Sequence, residues 1–84
     1  MVGHMHYVYV LFSESHQCRY VGSALDVEAR LKQHNLGGSK YTSGRRPWKI
    51  VHAESFPTKT EPLKREKFLK TGEGREWLDN NIRL

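Results

Sequence analysis

The stretch from Arg19 to His34 constrains the fold of this chain more than any other. It reads RYVGSALDVEARLKQH, so a short segment of β-forming residues passes through a glycine into an amphipathic helix. At about 100° per residue, Val27 and Leu31 form the apolar stripe of that helix, with His34 beside the stripe and Arg30 just past it. The pattern predicts a strand–turn–helix unit in which Arg30 and His34 lie one turn apart at the edge of the buried face.

Alternating and helical patterns elsewhere extend this unit into a small α/β fold of the α+β class. Residues 6–12 alternate between two apolar or aromatic sets and precede a polar turn, which is typical of the first strand of a hairpin. The predicted elements are strands at residues 6–12, 18–22 and 48–56 and helices at residues 26–36, 60–72 and 75–82. Because the strands follow one another too closely for parallel crossovers, we expect a three-stranded antiparallel sheet flanked by helices, in the order β-β-α-β-α-α.

Composition and charge indicate one small domain with a polyanionic partner. Of the 84 residues, 37% are hydrophobic and 11% aromatic, which is enough for a modest core and argues against disorder. The 14 Lys and Arg residues against 9 Asp and Glu give a net charge of +5, which favours nucleic acid as the partner. Residues 5–84 are expected to form this single domain, whereas residues 1–4 look like an expression scar before the native start.

Several other classes of protein are disfavoured. Cys18 is the only cysteine, so neither an internal disulfide nor a cysteine-based zinc cluster is expected, and a reducing cytoplasmic location is the simplest assumption. No apolar run approaches the roughly 18 residues of a membrane span, and no signal-peptide pattern is present, so no membrane partner is expected. The glycine-rich loop at residues 37–47 lacks the G-x-x-x-x-G-K-[ST] spacing, so we expect no nucleotide cofactor.

The second predicted helix carries a carboxylate at an unusual position. On a helical wheel Leu63 and Leu69 lie about 120° apart, and Glu66 falls midway between them. A carboxylate in the centre of an apolar face is costly unless it is paired with a cation or bound to a metal. Two interpretations are therefore open for Glu66: an ion pair, with Arg30 or a lysine, or a metal ligand.

Taken in order, these motifs resemble the GIY-YIG nuclease superfamily. Tyr7-Val8-Tyr9 stands where the first half-motif would be, Tyr20-Val21-Gly22 matches the second half, and an arginine and a histidine follow Tyr20 by 10 and 14 residues. The segment from Lys40 to Leu78 is similar to small stand-alone bacterial members related to the N-terminal nuclease module of the bacterial excinuclease. The resemblance covers nearly the whole chain and implies the same three-stranded fold.

The resemblance implies a metal-dependent DNA endonuclease and assigns roles to five residues. Glu66 would hold one Mg²⁺ or Mn²⁺ ion, and Arg30 would neutralise charge on the phosphate. Tyr9 would act as the general base, with Tyr20 and His34 orienting it or the water, although sequence does not decide which tyrosine takes the proton. Candidates for nucleic-acid contacts are the basic and aromatic residues Lys32, Lys40, Tyr41, Arg45, Arg46, Lys64 and Lys67.

Two other functions stay open at this level: a non-catalytic nucleic-acid-binding module of the same fold, and a small interaction domain. A nuclease that recognises a duplex by its sequence needs an element that fits the major groove. The main helices of this chain are expected to form its core and its site, so they are not available for that purpose. We therefore expect the DNA partner to be single-stranded or branched and to be cut with little sequence specificity.

The catalytic interpretation sets one condition on the hairpin. Side chains alternate along a strand, so Tyr9 and Tyr20 share one face only if paired residue numbers sum to an odd value. We expect the two tyrosines to lie opposite or nearly so, through a four-residue turn at residues 13–16. An even sum would place the two hydroxyls on opposite faces and exclude a shared site.

Overall fold

A computed structural model describes residues 5–82 and confirms the predicted antiparallel sheet of three strands. The strands are β1 (His6–Ser13), β2 (Cys18–Ala24) and β3 (Trp48–Phe56). The helices are α1 (Val27–Asn35), α2 (Lys40–Ser43), α3 (Thr60–Leu69) and α4 (Gly72–Asn81). The predicted scar at residues 1–4 lies outside the described residues. Within residues 5–82, no helix is long and apolar enough to cross a lipid bilayer.

Strand β1 lies in the centre of the sheet, between β2 and β3. Its residues Val8, Tyr9, Val10 and Leu11 have no exposed surface, because helices cover both faces of the sheet. Val8 and Val10 belong to a core with α3 and α4, whereas Tyr9 and Leu11 belong to a core with α1. The alternation in this segment therefore separates two buried faces instead of a buried face from a wet one.

The β1–β2 hairpin closes one residue later than predicted. Its turn has four residues, as expected, but these are residues 14–17 and not 13–16, because Ser13 and Cys18 still pair. Gln17 adopts a positive φ of 51° at the end of this turn. The register that follows from the turn decides which side chains share a face.

Helix α3 packs on the sheet through residues that differ in part from those predicted. Leu69 is buried in the core, but Leu63 is 52% exposed. The inward side of α3 consists of the buried Pro62 and Leu69, with Arg65 and Glu66 half-buried between them. The prediction of an apolar face centred on Glu66 is therefore wrong, because Leu63 turns to solvent and a second charged residue shares the inward side.

Helices α3 and α4 meet at a tight turn. The helix predicted to run to Gly72 ends earlier, and Gly72 instead begins α4. The hydroxyl of Thr71 caps α4 by accepting a hydrogen bond from the backbone N–H of Gly74 at 3.1 Å. A Cβ atom on Gly74 would lie 2.0 Å from the carbonyl oxygen of Phe68, so only glycine permits this close approach of the two helices.

Helix α1 is fixed to the opposite face of the sheet by the side chain of Asn35. The amide of Asn35 donates to the backbone carbonyl of Trp48 at 3.1 Å, and its oxygen accepts from the backbone N–H of Trp48 at 2.7 Å. These two bonds hold the C-terminal end of α1 against the start of β3. At the other end Asp26 caps the helix by accepting from the backbone N–H of Ala29 at 3.0 Å.

The predicted loop at residues 37–47 contains one short helix, α2. The indole N–H of Trp48 donates to the backbone carbonyl of Thr42 at 2.9 Å, and both residues are buried. This bond seats α2 beside α1 on the same face of the sheet. A single helical turn has no apolar periodicity, which is why the sequence pattern does not predict it.

A charged cluster braces the other face of the sheet. Glu54 on β3 accepts two hydrogen bonds from the Arg65 guanidinium, at 2.9 and 3.1 Å, and lies 2.7 Å from His52. The guanidinium also lies 4.5 Å from the centre of the Trp77 ring. Burial acts to raise the pKa of the Glu54 carboxyl, but hydrogen bonds from Arg65 and His52 outweigh it and hold the pKa below 4.5. Arg65 therefore joins β3, α3 and α4 and is not part of a solvated basic surface.

Replacing Glu54 with glutamine should lower the free energy of unfolding at neutral pH by about 1.5–3 kcal/mol, since it removes largely buried hydrogen bonds to a charged group. Because the carboxyl pKa is lower in the folded chain than in the unfolded chain, the stabilisation is complete above about pH 4.5 and is lost as the pH falls. The difference between wild type and Glu54→Gln in urea unfolding should shrink accordingly. Glu14→Gln, which breaks an exposed ion pair with Lys49, is the control and should change little. Equal effects of the two substitutions would contradict a bracing role.

Candidate active site

The hairpin register places Tyr9 and Tyr20 on one face of the sheet. Tyr9 pairs with Gly22, and Leu11 pairs with Tyr20, so paired residue numbers sum to an odd value. This confirms the predicted shared face. Tyr20 lies two residues along β2 from Gly22, the residue opposite Tyr9. The two rings lie 6.4 Å apart, centre to centre.

His34 reaches the two tyrosines from α1 and is almost fully buried. Its Nε2 lies 3.1 Å from the Tyr9 hydroxyl, and its Nδ1 lies 3.0 Å from the Thr42 hydroxyl. Its ring centre is 4.8 Å from that of Tyr20. Burial lowers the pKa of His34 below 6.5, and the charge of Arg30 lowers it further. The imidazole is therefore neutral at physiological pH.

Arg30 of α1 and Glu66 of α3 lie close enough to Tyr9 to affect the pKa of its hydroxyl. Burial raises the pKa of the fully buried Tyr9, the Arg30 side chain opposes that rise, and Tyr20 and Glu66 add to it. Such effects weaken with distance. The structure therefore brings Tyr9, Tyr20 and His34 into one cluster, with Arg30 and Glu66 near enough to influence it.

Because Gly22 has no side chain, there is space for the Tyr9 hydroxyl next to it. A Cβ atom at this position would lie 2.5 Å from the Tyr9 hydroxyl oxygen and 3.1 Å from Cε2 of Tyr20. The hydroxyl thus lies directly over the backbone of β2, where any side chain would displace it. This close approach explains why glycine ends the Tyr20-Val21-Gly22 segment.

Glu66 is the residue of this site that could hold a metal ion. Its side chain is 22% exposed and lies 2.7 Å from the ammonium group of Lys70, one turn further along α3. Within residues 5–82 no three His, Cys, Asp or Glu side chains gather into a cluster, so the three or four ligands that zinc needs are not provided. Mg²⁺ fits, because it commonly takes one or two carboxylates and completes its shell with water and phosphate oxygens.

A cleft of about 330 Å³ opens beside Tyr20. Tyr41 of α2 lines it too, and part of its wall is apolar. Three cations line the cleft, none of which the sequence marked as a nucleic-acid contact: Arg19, Lys70 and Arg75. Arg19 pairs with Asp79 and Lys70 pairs with Glu66, whereas Arg75 forms no ion pair in the part of the chain that the structure describes. The cleft is therefore a surface beside Tyr20 that is rich in positively charged side chains.

The residues predicted to contact nucleic acid lie on several surfaces. Arg45 stacks on the ring of Tyr41 at 4.1 Å and donates to its backbone carbonyl at 2.7 Å. Arg46 donates to the backbone carbonyls of Ser43 and Asn35, so it braces the loop around α2. The predicted lysines are exposed: Lys32, Lys40, Lys64 and Lys67. Of the predicted set, Tyr41 lines the cleft beside Tyr20.

Two parts of the site gave no signal in the sequence. Thr42 contacts the catalytic candidate His34 from a single helical turn, where no periodicity exists to mark it. The cations of the cleft come from β2, α3 and α4, and only the fold brings them together. Neither could have been found without the tertiary structure.

Comparison with known proteins identifies the class to which this arrangement belongs. The model of the GIY-YIG catalytic domain matches residues 5–79, so the chain belongs to the GIY-YIG family, which is a family of nucleases. GIY-YIG nucleases act on DNA and generally use a divalent metal ion. The sequence resemblance to this family is confirmed.

The particular relatives are UPF0213 proteins. One from Haloquadratum walsbyi is 45% identical over 67 residues, which cover 79% of this chain and 74% of the relative. One from Staphylococcus aureus is 48% identical over 67 residues, covering 79% of this chain and 80% of the relative. The solution NMR structure of a UPF0213 protein from Bacillus halodurans superposes with a TM-score of 0.55 at 37% identity, covering 90% of this chain and 83% of that one. The chain is therefore similar in sequence and in fold to small GIY-YIG proteins.

Replacing Gly22 with alanine should push the Tyr9 hydroxyl away from His34 and lower the free energy of unfolding by about 1–3 kcal/mol, the usual cost of overpacking a filled core. Gly44→Ala is the matched control, because a Cβ atom at that position meets no atom within 4 Å. Urea unfolding of both variants should show the loss for Gly22→Ala alone. Identical unfolding free energies would argue against the close contact between Tyr9 and β2.

Proposed function

We propose that this chain is a metal-dependent endonuclease that hydrolyses DNA phosphodiester bonds. The observation that carries the proposal is the cluster of Tyr9, Tyr20 and His34 on one face of the hairpin, with Arg30 and Glu66 near enough to act on the pKa of Tyr9. Hydrolysis of a phosphodiester needs a group that takes a proton from water, positive charge at the phosphate and a position for a cation. These residues are of the types that supply each of the three.

Tyr9 and His34 act together as the general base. A tyrosine whose pKa is raised by burial seldom exists as tyrosinate at neutral pH, so Tyr9 alone is a poor base. The hydroxyl of Tyr9 lies within hydrogen-bond distance of Nε2 of the neutral His34. As the Tyr9 oxygen takes a proton from the attacking water, its own proton passes to Nε2, and no tyrosinate has to form.

Arg30 connects the phosphate to this relay. Its side chain is at the surface, and it lies near enough to Tyr9 to act against the rise in the pKa of that hydroxyl. The planar fork can donate two parallel hydrogen bonds to phosphate oxygens and neutralise the charge that develops on them. Tyr20, half-buried and lining the cleft, orients the attacking water.

Glu66 would hold the Mg²⁺ or Mn²⁺ ion. When bound, the ion supplies positive charge that stabilises the phosphate during hydrolysis. Lys70 would release the carboxylate readily, since pairs four residues apart on a helix contribute only about 0.3–0.5 kcal/mol. The released ammonium group stays in the cleft, where it can contact the phosphate backbone.

The cleft beside Tyr20 is the proposed path of the substrate strand. Its cations can hold phosphates, which gives affinity without sequence information. Tyr41, 44% exposed, offers a ring on which a base can stack. The longer helices pack on the sheet or on one another, so none projects as an element that could enter the major groove. A flexible single strand therefore suits the site better than a duplex.

Replacing Glu66 with glutamine should lower the rate of Mg²⁺-dependent cleavage at least about 100-fold, since the charge of a catalytic metal contributes several kcal/mol. Glu76→Gln on the exposed surface of α4 changes the net charge by the same amount and is the matched control. Cleavage of a fluorescent oligonucleotide with and without Mg²⁺ measures the effect, and unfolding curves check the fold. Binding without cleavage in the wild type would favour the non-catalytic module, and full activity of Glu66→Gln would remove this residue from the mechanism.

Cleavage should be fastest on single-stranded or branched DNA and should depend little on sequence. Binding should weaken steeply with salt, because phosphate contacts dominate it. Initial rates on single-stranded, flap and duplex oligonucleotides of several sequences, compared at one salt concentration, test this expectation. Preferential cutting of one duplex sequence would contradict it and would indicate a partner that supplies base readout.

A further inference from the structure

The hydroxyl of Thr42 contacts the side of His34 that faces away from Tyr9, and Thr42 lies outside the sequence motifs of the site. It is fully buried, and its Oγ1 lies 3.0 Å from Nδ1 of the imidazole. The opposite ring nitrogen, Nε2, faces Tyr9. A neutral imidazole carries one proton on either nitrogen, and the two choices give Tyr9 opposite partners.

The hydrogen bonds of Thr42 select one of these tautomers. A threonine hydroxyl has a single proton to donate. The backbone carbonyl of Ser39, 3.3 Å away, can only accept, so it offers a place for that proton. With the proton directed to Ser39, the Thr42 oxygen accepts from His34, and Nδ1 carries the imidazole proton.

The same tautomer suits the contact between His34 and Tyr9. The hydroxyl proton of the fully buried Tyr9 needs an acceptor, and Nε2 of His34 lies at 3.1 Å. With the imidazole proton on Nδ1, Nε2 presents its lone pair to that hydroxyl.

The main chain of Thr42 is held in place by the side chain of Trp48. The indole N–H of Trp48 donates to the Thr42 carbonyl at 2.9 Å, and Trp48 is itself clamped to α1 by Asn35. The Thr42 hydroxyl is thus fixed relative to both the sheet and the helix that carries His34. Such a framework suits a group whose task is to hold one tautomer.

We propose that Thr42 is a positioning residue that fixes His34 in the Nδ1–H tautomer, so that Nε2 stays open to the proton of Tyr9. Thr42 acts through His34 and touches neither the phosphate nor a metal. The tautomer follows from the hydrogen bonds alone, whereas its consequence for cleavage rests on the proposed function. The two parts therefore need separate measurements.

The experiment compares wild type with Thr42→Val and Thr42→Ser in the full chain. Valine keeps the shape of threonine but offers no acceptor to Nδ1–H, whereas serine keeps the hydroxyl. Long-range ¹H–¹⁵N NMR of the histidine rings reads the tautomer of His34 without any substrate. We expect the Nδ1–H form in wild type and Thr42→Ser, and a shift to the Nε2–H form in Thr42→Val. Cleavage should fall about tenfold in the valine variant, the factor typical of one lost hydrogen bond between neutral groups, and should recover in the serine variant.

Each outcome decides one part of the proposal. If Thr42→Val folds and His34 keeps its Nδ1–H form, Thr42 does not set the tautomer and the proposal is overturned. If the tautomer changes while the cleavage rate stays at the wild-type value, its catalytic role is overturned. A wild type that shows the Nδ1–H form but cuts no DNA would refute the proposed function and leave the assignment of the tautomer supported. Thermal unfolding of all three proteins separates these results from loss of the fold.

Discussion

The buried hydroxyl of Tyr9 is the constraint on which the geometry of the site depends. A buried hydroxyl without a partner costs about 1–3 kcal/mol, so the fold must supply one. The partner is His34, which sets the rotation of α1 on the sheet, and the space for the hydroxyl exists because Gly22 has no side chain. The contacts of the candidate site are therefore also contacts of the core, so the candidate site cannot loosen without a loss of stability.

The sheet and its register could be predicted because they rest on simple periodicities. Alternation along β1 and β2 places Tyr9 and Tyr20 on one face, and a helical period places His34 beside the apolar stripe of α1. The sequence could not reveal Thr42 or α2, since one helical turn carries no pattern. The sequence did not indicate a role for Asn35 either. Its side chain pairs with the backbone of Trp48, and a backbone partner produces no sequence pattern.

Glu66 shows how a candidate residue can be selected on partly incorrect grounds. Two leucines define a helical face only if both are buried, and the exposed Leu63 does not mark one. Pro62 takes the inward position instead, and Glu66 stays on that side because it lies four residues further along. The sequence also predicts Arg46 as a nucleic-acid contact, but its guanidinium group donates to backbone carbonyls within the protein. Residue type alone does not disclose such internal acceptors, and the Arg65 guanidinium is likewise bound to Glu54.

The burial of β1 on both sides has a consequence for how such a protein can evolve. Alternate residues of one strand face two different cores: Tyr9 faces the candidate site, whereas Val8 and Val10 face the core that Glu54 and Arg65 brace. Substitutions at the odd-numbered positions of β1 cost stability, because Tyr9 and Leu11 are fully buried. The core on the even-numbered face can offset that cost, so changes beside the candidate site need not unfold the sheet.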